Sequence, residues 1–274
     1  MSAPLFKIEA LRLSLPDMTR KPLFGAPPRI EILKGLSFEI PAGATIGIVG
    51  ESGSGKSTLG RALVRLYEPT QGAIRFDGAD IAHLSEAALR PLRRDLQVIF
   101  QDPYSSLNPR KSIGAIIAAP LRFHGVATGA ADARERVAAA LNAVGLPGAF
   151  AQRYPHELSG GQRQRVGIAR AIALSPRFVL ADEIVSGLDV SSQAQILDLL
   201  ARLKDELKLT LAFISHDLSV VRRLCSRVIV MRSGEIVENR ETAALFEAPE
   251  HPYTRQLLSA IPLPEVDPGW LEAD

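Results

Sequence analysis

Apolar and polar residues alternate from Leu5 to Leu13 (LFKIEALRL), and a second apolar-rich run, residues 35 to 49, is interrupted by glycine and proline. Both read as short strands. The stretch between them, PDMTRKPLFGAPPR, carries four prolines and reads as a poorly ordered loop. From Lys56 the spacing predicts a helix to about Leu66, followed by strand-like GAIRFDG and then LQVIFQ, whose apolar run delivers Gln101 to a sheet edge. Between Ser112 and Ala151 the segments GAIIAAPLRF and ADARERVAAALNAVGL are alanine-rich with helical spacing, which predicts a helical insertion. FVLADE then reads as a buried strand, SSQAQILDLLARLKDEL as an amphipathic helix, and LTLAFISH and RVIVM as further strands. The tail HPYTRQLLSAIPLPEVDPGW predicts one short helix and a proline-rich end, and no internal repeat is visible. Strands alternating with helices imply an α/β fold with a parallel sheet.

Composition narrows this only a little. At 274 residues and 46 % hydrophobic, the chain can bury one sizeable core with a smaller subdomain attached. A net charge of +2 implies neither a nucleic acid nor an anionic membrane as partner. The single cysteine, Cys225, excludes an internal disulfide, argues against a metal site, and fits a reducing cytoplasm. It reads as a small packing residue beside a strand. The first residues show no targeting pattern, and no window approaches the roughly 18 apolar residues of a membrane span. A membrane role would therefore be borrowed from partners.

The chemistry is concentrated in four places. GESGSGKST follows an apolar strand and opens a helix, which is the setting of a phosphate loop. Gly50, Gly53 and Gly55 let backbone amides turn inward on the β-phosphate, with Ser52, Ser54 and Thr58 in the same nucleotide-binding stretch; Lys56 bridges the β- and γ-phosphates, and Ser57 can ligate Mg²⁺. Asp182 and Glu183 end an apolar strand, where open α/β sheets place ligands; Asp182 would hold Mg²⁺ through water and Glu183 would polarise the attacking water, or either would cap the next helix. Gln101 and His216 each close an apolar run and should emerge near the same edge, although a histidine after a strand is often structural or exposed. In HELSGGQRQRVG, Ser159, Gly160 and Gly161 offer a hydroxyl and free amides at a helix start, suited to a γ-phosphate or to simple capping. One phosphate loop fills one site, so this second half-site would serve a nucleotide held by another copy or a paralogue.

Together these motifs resemble the ATP-binding cassette (ABC) family from about residue 5 to 264. GESGSGKST is similar to its Walker A loop, FVLADE to Walker B with a catalytic glutamate, and LSGGQ (Leu158 to Gln162) to its signature. Gln101 falls at the Q-loop, Ser186 to Asp189 at the D-loop and His216 at the switch histidine. The resemblance implies a P-loop NTPase cassette with a mostly parallel core sheet, an N-terminal antiparallel β subdomain and an inserted helical subdomain. It divides the chain into 1–101 and 159–248 as halves of the nucleotide-binding core, 102–158 as the helical subdomain and 249–274 as a tail. It implies ATP and Mg²⁺ as cofactors, Ser57, Gln101 and Asp182 around the metal, Glu183 on the water, and His216 on the γ-phosphate. Ser159 to Gln162 and Asp189 would act across an interface.

VIFQDPYSSLNPR, RYPHELSGGQRQRVGIARAIALSP, LDVSSQAQILDLL and HPYTRQLLSAIPLP resemble the bacterial dipeptide, oligopeptide and nickel importers. That branch implies a second ATPase subunit, in a heterodimer or else a homodimer, two transmembrane permease subunits and an extracytoplasmic solute-binding protein. It implies a peripheral position on the cytoplasmic face of the inner membrane and no nucleic-acid partner. Peptide is the first expected cargo, ahead of nickel, glutathione or an opine-like compound. Tyr104 to Pro109 are expected to meet a membrane subunit.

The sequence also departs from the family pattern. Leu15 stands where an aromatic usually stacks on adenine, and either Leu15 gives an apolar contact there or Phe24 substitutes; Ile184, Val185 and Gly187 replace the usual proline, threonine and alanine. The cysteine-rich extension of some relatives is missing, so no iron-sulfur cluster is expected. The rivals are a soluble ABC protein of DNA repair or translation and a small-molecule kinase; LSGGQ goes unexplained by the kinase. LRPLRRD reads as a solvated helix face, and Trp270 as cover for a neighbouring surface.

Overall fold

The computed structural model describes residues 4–20 and 25–260. Strands β1 (Pro4–Pro16) and β2 (Arg29–Pro41) form a long antiparallel pair, extended by β4 (Gln71–Phe76) and β5 (Ala79–Asp80) in the order β2-β1-β4-β5. The alternation from Leu5 to Leu13 is met as a strand, longer than expected at its C-terminal end. The run from 35 to 49 is two strands. Gly43, at φ 75°, turns the chain after Pro41, and β3 (Thr45–Val49) enters a different sheet.

That second sheet has six strands in the order β10-β9-β3-β8-β7-β6, comprising β6 (Leu96–Ile99), β7 (Phe178–Asp182), β8 (Thr210–Ile214), β9 (Arg227–Arg232) and β10 (Glu235–Glu241). All neighbours are parallel except β10, an antiparallel edge strand that the sequence pattern did not reveal. Its residues, EIVENRE, are mostly polar, as suits an edge.

The sheet is buried on both faces, and the period of two shows which residue serves which core. Phe178 and Leu180 join Ile46, Ile48 and the antiparallel sheet, where Phe6 packs its ring 4.7 Å from that of Phe178. Val179 and Ala181 face the other way, toward the helices. Helix α1 (Lys56–Leu63) lies on the first face, close enough that a Cβ on Gly60 would come 2.7 Å from Leu180 Cδ1. It stops short of the expected Leu66. Arg65 takes φ 53°, and its buried guanidinium donates to the carbonyls of Ile81, Tyr67 and Leu84.

Between β6 and α6 (Gly160–Ile172) the chain is helical: α3 (Pro103–Ser106), α4 (Ile113–Phe123) and α5 (Ala130–Ala143), after α2 (Glu86–Leu89). The two long helices bury Ile117, Leu121, Val137 and Leu141 against one another and α6. Helix α7 (Val190–Leu207) follows β7; α8 (Leu218–Leu224), α9 (Thr242–Glu247) and α10 (Pro252–Ser259) complete the chain, with α8 and α9 not foreseen. In LRPLRRD, Arg93 is not a solvated face: it pairs with Glu86 at 2.9 Å and donates to the carbonyls of Val64 and Arg65.

Candidate functional site

Because β3 and β7 flank β8, the loops leaving their C-terminal ends meet at one rim of the sheet, and β6 adds its own loop beside β7. After β3, Gly50 takes φ 145°, where a Cβ would stand 2.2 Å from Met231 O, so only glycine permits the approach. Gly53 and Gly55 also take positive φ, turning the chain into α1. Lys56 folds back over the loop, its Nζ donating to Gly50 O and Glu51 O, each at 2.7 Å. Burial pulls its ammonium below the usual lysine range, opposed by the charges of Glu183, Asp182 and Glu51.

A cavity of about 260 Å³ opens over this loop, walled by Ile32, Ser52, Gly53, Gly55, Lys56, Ser57, Thr58 and Glu183. Ser54 lies beneath, its buried hydroxyl without a hydrogen-bond partner among the described residues. Loop amides at a helix start with a lysine above them suit an anion such as a phosphate chain.

Ser57 Oγ donates to Asp182 Oδ1 at 2.9 Å, and Asp182 is 4 % exposed. Arg61, one turn further along α1, stands 3.6 Å from Asp182 Oδ2. Two hard oxygen donors, one of them a carboxylate, fit Mg²⁺, which draws few ligands from protein and the rest from phosphate and water. Glu183 sits at φ 50°, a left-handed backbone that costs a non-glycine residue on the order of 1 kcal/mol. Its carboxylate accepts from Gln101 Nε2 at 3.1 Å and lies 3.9 Å from His216 Nδ1. Gln101, Glu183 and His216 therefore meet as expected. The amide of Gln101 is committed to Glu183 and, at 3.4 Å, to Ser186 Oγ, whereas Ser57 and Asp182 pair with each other.

None of the residues of the candidate second half-site lines the cavity. Ser159 caps α6, its Oγ accepting from Gln162 N–H while Gln162 Oε1 accepts from Ser159 N–H. Gly160 and Gly161 face Leu188 and Ser192 at the start of α7. Asp189 caps α7 through the N–H and hydroxyl of Ser192, bonds that hold its carboxyl below the usual range. Gln193 donates to the carbonyls of Val185 and Leu188, closing the turn around Gly187. Ile184 and Val185 are buried in the core.

Leu15 is half-buried against the antiparallel-sheet core; the aliphatic residue on the cavity wall is Ile32, which sequence reasoning missed, as it did Arg61. Phe24, Trp270 and the proline-rich end lie outside the described residues. A wider cleft of about 810 Å³ runs between the sheet and α4, with Leu66, Phe100, Asn108 and Lys111 on its walls. Tyr104 is 57 % exposed nearby, under the Arg163 guanidinium at 4.2 Å. Among the described residues no helix is long and apolar enough to cross a membrane.

This geometry agrees with what the chain is similar to. The family model described as ABC transporter matches residues 33–186. A peptide import ATP-binding protein of Brucella ovis is 54 % identical over 238 residues, covering 87 % of this chain and 75 % of the relative. The glutathione import ATP-binding protein GsiA of Salmonella paratyphi A is 51 % identical over 261 residues, 95 % of this chain and 41 % of that protein. Among solved structures, a dimeric ATP-binding cassette in a post-hydrolysis state, bound to ADP and Pi, aligns with a TM-score of 0.74 at 31 % identity, covering 86 % of this chain and 98 % of its own. Another, cbiO1 from Clostridium perfringens, part of the ABC transporter complex cbiONQ, aligns at 0.75 and 27 % identity over 95 % and 97 %. With its family model spanning more than half of it and its phosphate loop and strand-end carboxylates in one place, the chain belongs to the ABC transporter family.

Proposed function

We propose that this chain is the ATP-hydrolysing subunit of an importer that takes up peptides. One observation carries the reading: the phosphate loop, the Ser57–Asp182 pair and the Glu183–Gln101–His216 cluster share one rim of the sheet. Loop amides and Lys56 bind the phosphates of ATP. Ser57 and Asp182 hold Mg²⁺, which supplies charge neutralisation at the phosphates. Glu183 orients the attacking water, and His216 steadies the γ-phosphate.

Ser159 to Gln162 and Asp189 do not line their own chain's cavity, which supports a role on ATP held by a second cassette, in a heterodimer or else a homodimer. The cleft beside Gln101 receives a permease subunit, two of which work with an extracytoplasmic binding protein. The subunit is then peripheral, on the cytoplasmic face of the inner membrane. The peptide and glutathione named for the relatives support peptide cargo over nickel.

Uptake of labelled di- and oligopeptides tests this in cells carrying the wild-type chain or Lys56→Ala. Uptake should be lost in the variant; peptide uptake independent of Lys56 would remove the cargo assignment.

A further inference from the structure

The tail motif HPYTRQLL has no part in the chemistry so far, yet it reaches the phosphate loop. His251 caps α10, its Nδ1 accepting from Tyr253 N–H at 3.1 Å, and Pro252 opens the helix. The entry to α10 is pinned from β10: the buried Glu238 carboxylate accepts the N–H of Glu250 at 3.1 Å and of His251 at 3.2 Å. These bonds drive the Tyr253 ring into the core, 2 % exposed, beneath the Arg232 guanidinium at 4.9 Å. The phenolic oxygen then accepts the Glu51 N–H at 2.9 Å.

That N–H belongs to the peptide unit whose carbonyl is Gly50 O. In a planar trans unit the two groups point in opposite directions, so orienting one orients the other. Gly50 O is one of the two acceptors of Lys56 Nζ, and Glu51 O is the second. The plane of this peptide, which Gly50 leaves free to rotate, is therefore held at one end by Tyr253 and read at the other by the phosphate-binding lysine.

We propose that Tyr253 is a positioning residue of the nucleotide site, through which α10 fixes the first turn of the phosphate loop and sets nucleotide affinity. The inference rests on the ATP reading above. Tyr253→Phe keeps the ring and removes only the acceptor, leaving the half-buried Glu51 N–H without it. Mg-ADP should bind the purified full-length variant about tenfold more weakly than wild type, the scale expected for one such orphaned group. In ATP hydrolysis the KM should rise by a similar factor while kcat stays within about twofold, the split expected when ground-state binding alone is lost. Leu245→Ala, a buried change in α9, serves as control and should lower thermal stability without moving the KM.

A Tyr253→Phe variant that loses thermal stability but binds Mg-ADP as wild type does would reduce the contact to packing and overturn the proposal. Hydrogen exchange on the wild-type chain tests the contact itself: the Glu51 amide should be protected, and exchange as fast as in exposed loops would also overturn the proposal. Wild-type chain that fails to bind Mg-ADP would instead sink the ATP reading itself.

Discussion

The side-chain amide of Gln101 donates to the Glu183 carboxylate across 3.1 Å, joining the residue that leaves β6 to the one that leaves β7. Phe100, its neighbour in sequence, lines the cleft proposed for the permease, so two consecutive residues connect that cleft to the carboxylate proposed to orient water. Replacing the amide with a carboxylate, Gln101→Glu, removes the donor to Glu183 and sets a like charge beside it. Phosphate release should fall by roughly tenfold or more, the scale of one lost hydrogen bond to a charged group. Unchanged phosphate release would mean that the two side chains do not interact during turnover.

Asp182 accepts from Ser57 and faces Arg61, and the metal assignment rests on the first of these contacts. Asp182→Asn should abolish the gain in nucleotide affinity that Mg²⁺ confers, while affinity in the presence of a chelator changes little. Titrations with and without Mg²⁺ measure both; full retention of the Mg²⁺ effect would remove Asp182 from the metal shell.

Gly60 lies where α1 rests on the sheet, and a Cβ there would meet Leu180 Cδ1 at 2.7 Å and Ile214 Cδ1 at 2.8 Å. Both neighbours belong to a fully buried core that cannot yield cheaply. Gly60→Ala should cost about 1–3 kcal/mol of stability despite its gain in helix propensity. Denaturant unfolding reads this, and an unchanged or raised midpoint would count against the packing described.

Burial raises the Cys225 thiol well above its ordinary value, and Gly47 lies against it, a Cβ there falling 3.2 Å from its sulfur. A thiol so held supplies no thiolate near neutral pH. The native chain should resist iodoacetamide and react once unfolded, as mass spectrometry would show. Rapid alkylation of the native chain would contradict the burial.

The motifs were legible because their chemistry is local. A phosphate loop needs its glycines and lysine at fixed spacing, and the buried strand before Asp182 needs an unbroken apolar run. The capping box at Ser159 was likewise written in four consecutive residues. What escaped depends on residues distant in sequence. Arg61 matters because α1 turns it toward β7, and Ile32 because β2 passes the loop. The early end of α1 comes from Arg65, whose left-handed backbone is stabilised by carbonyls as far away as Leu84. Tyr253 meets a loop 202 positions earlier, and no periodicity reports such a contact.

The proposed role of Glu183, orienting the water that cleaves ATP, is tested by Glu183→Gln. Mg-ATP binding and phosphate release should be measured side by side on wild type and variant, assembled with their partner subunits. Binding should be unchanged and hydrolysis should fall by at least about a hundredfold, the usual contribution of a positioned base. Wild-type turnover in Glu183→Gln would mean that another group orients the water.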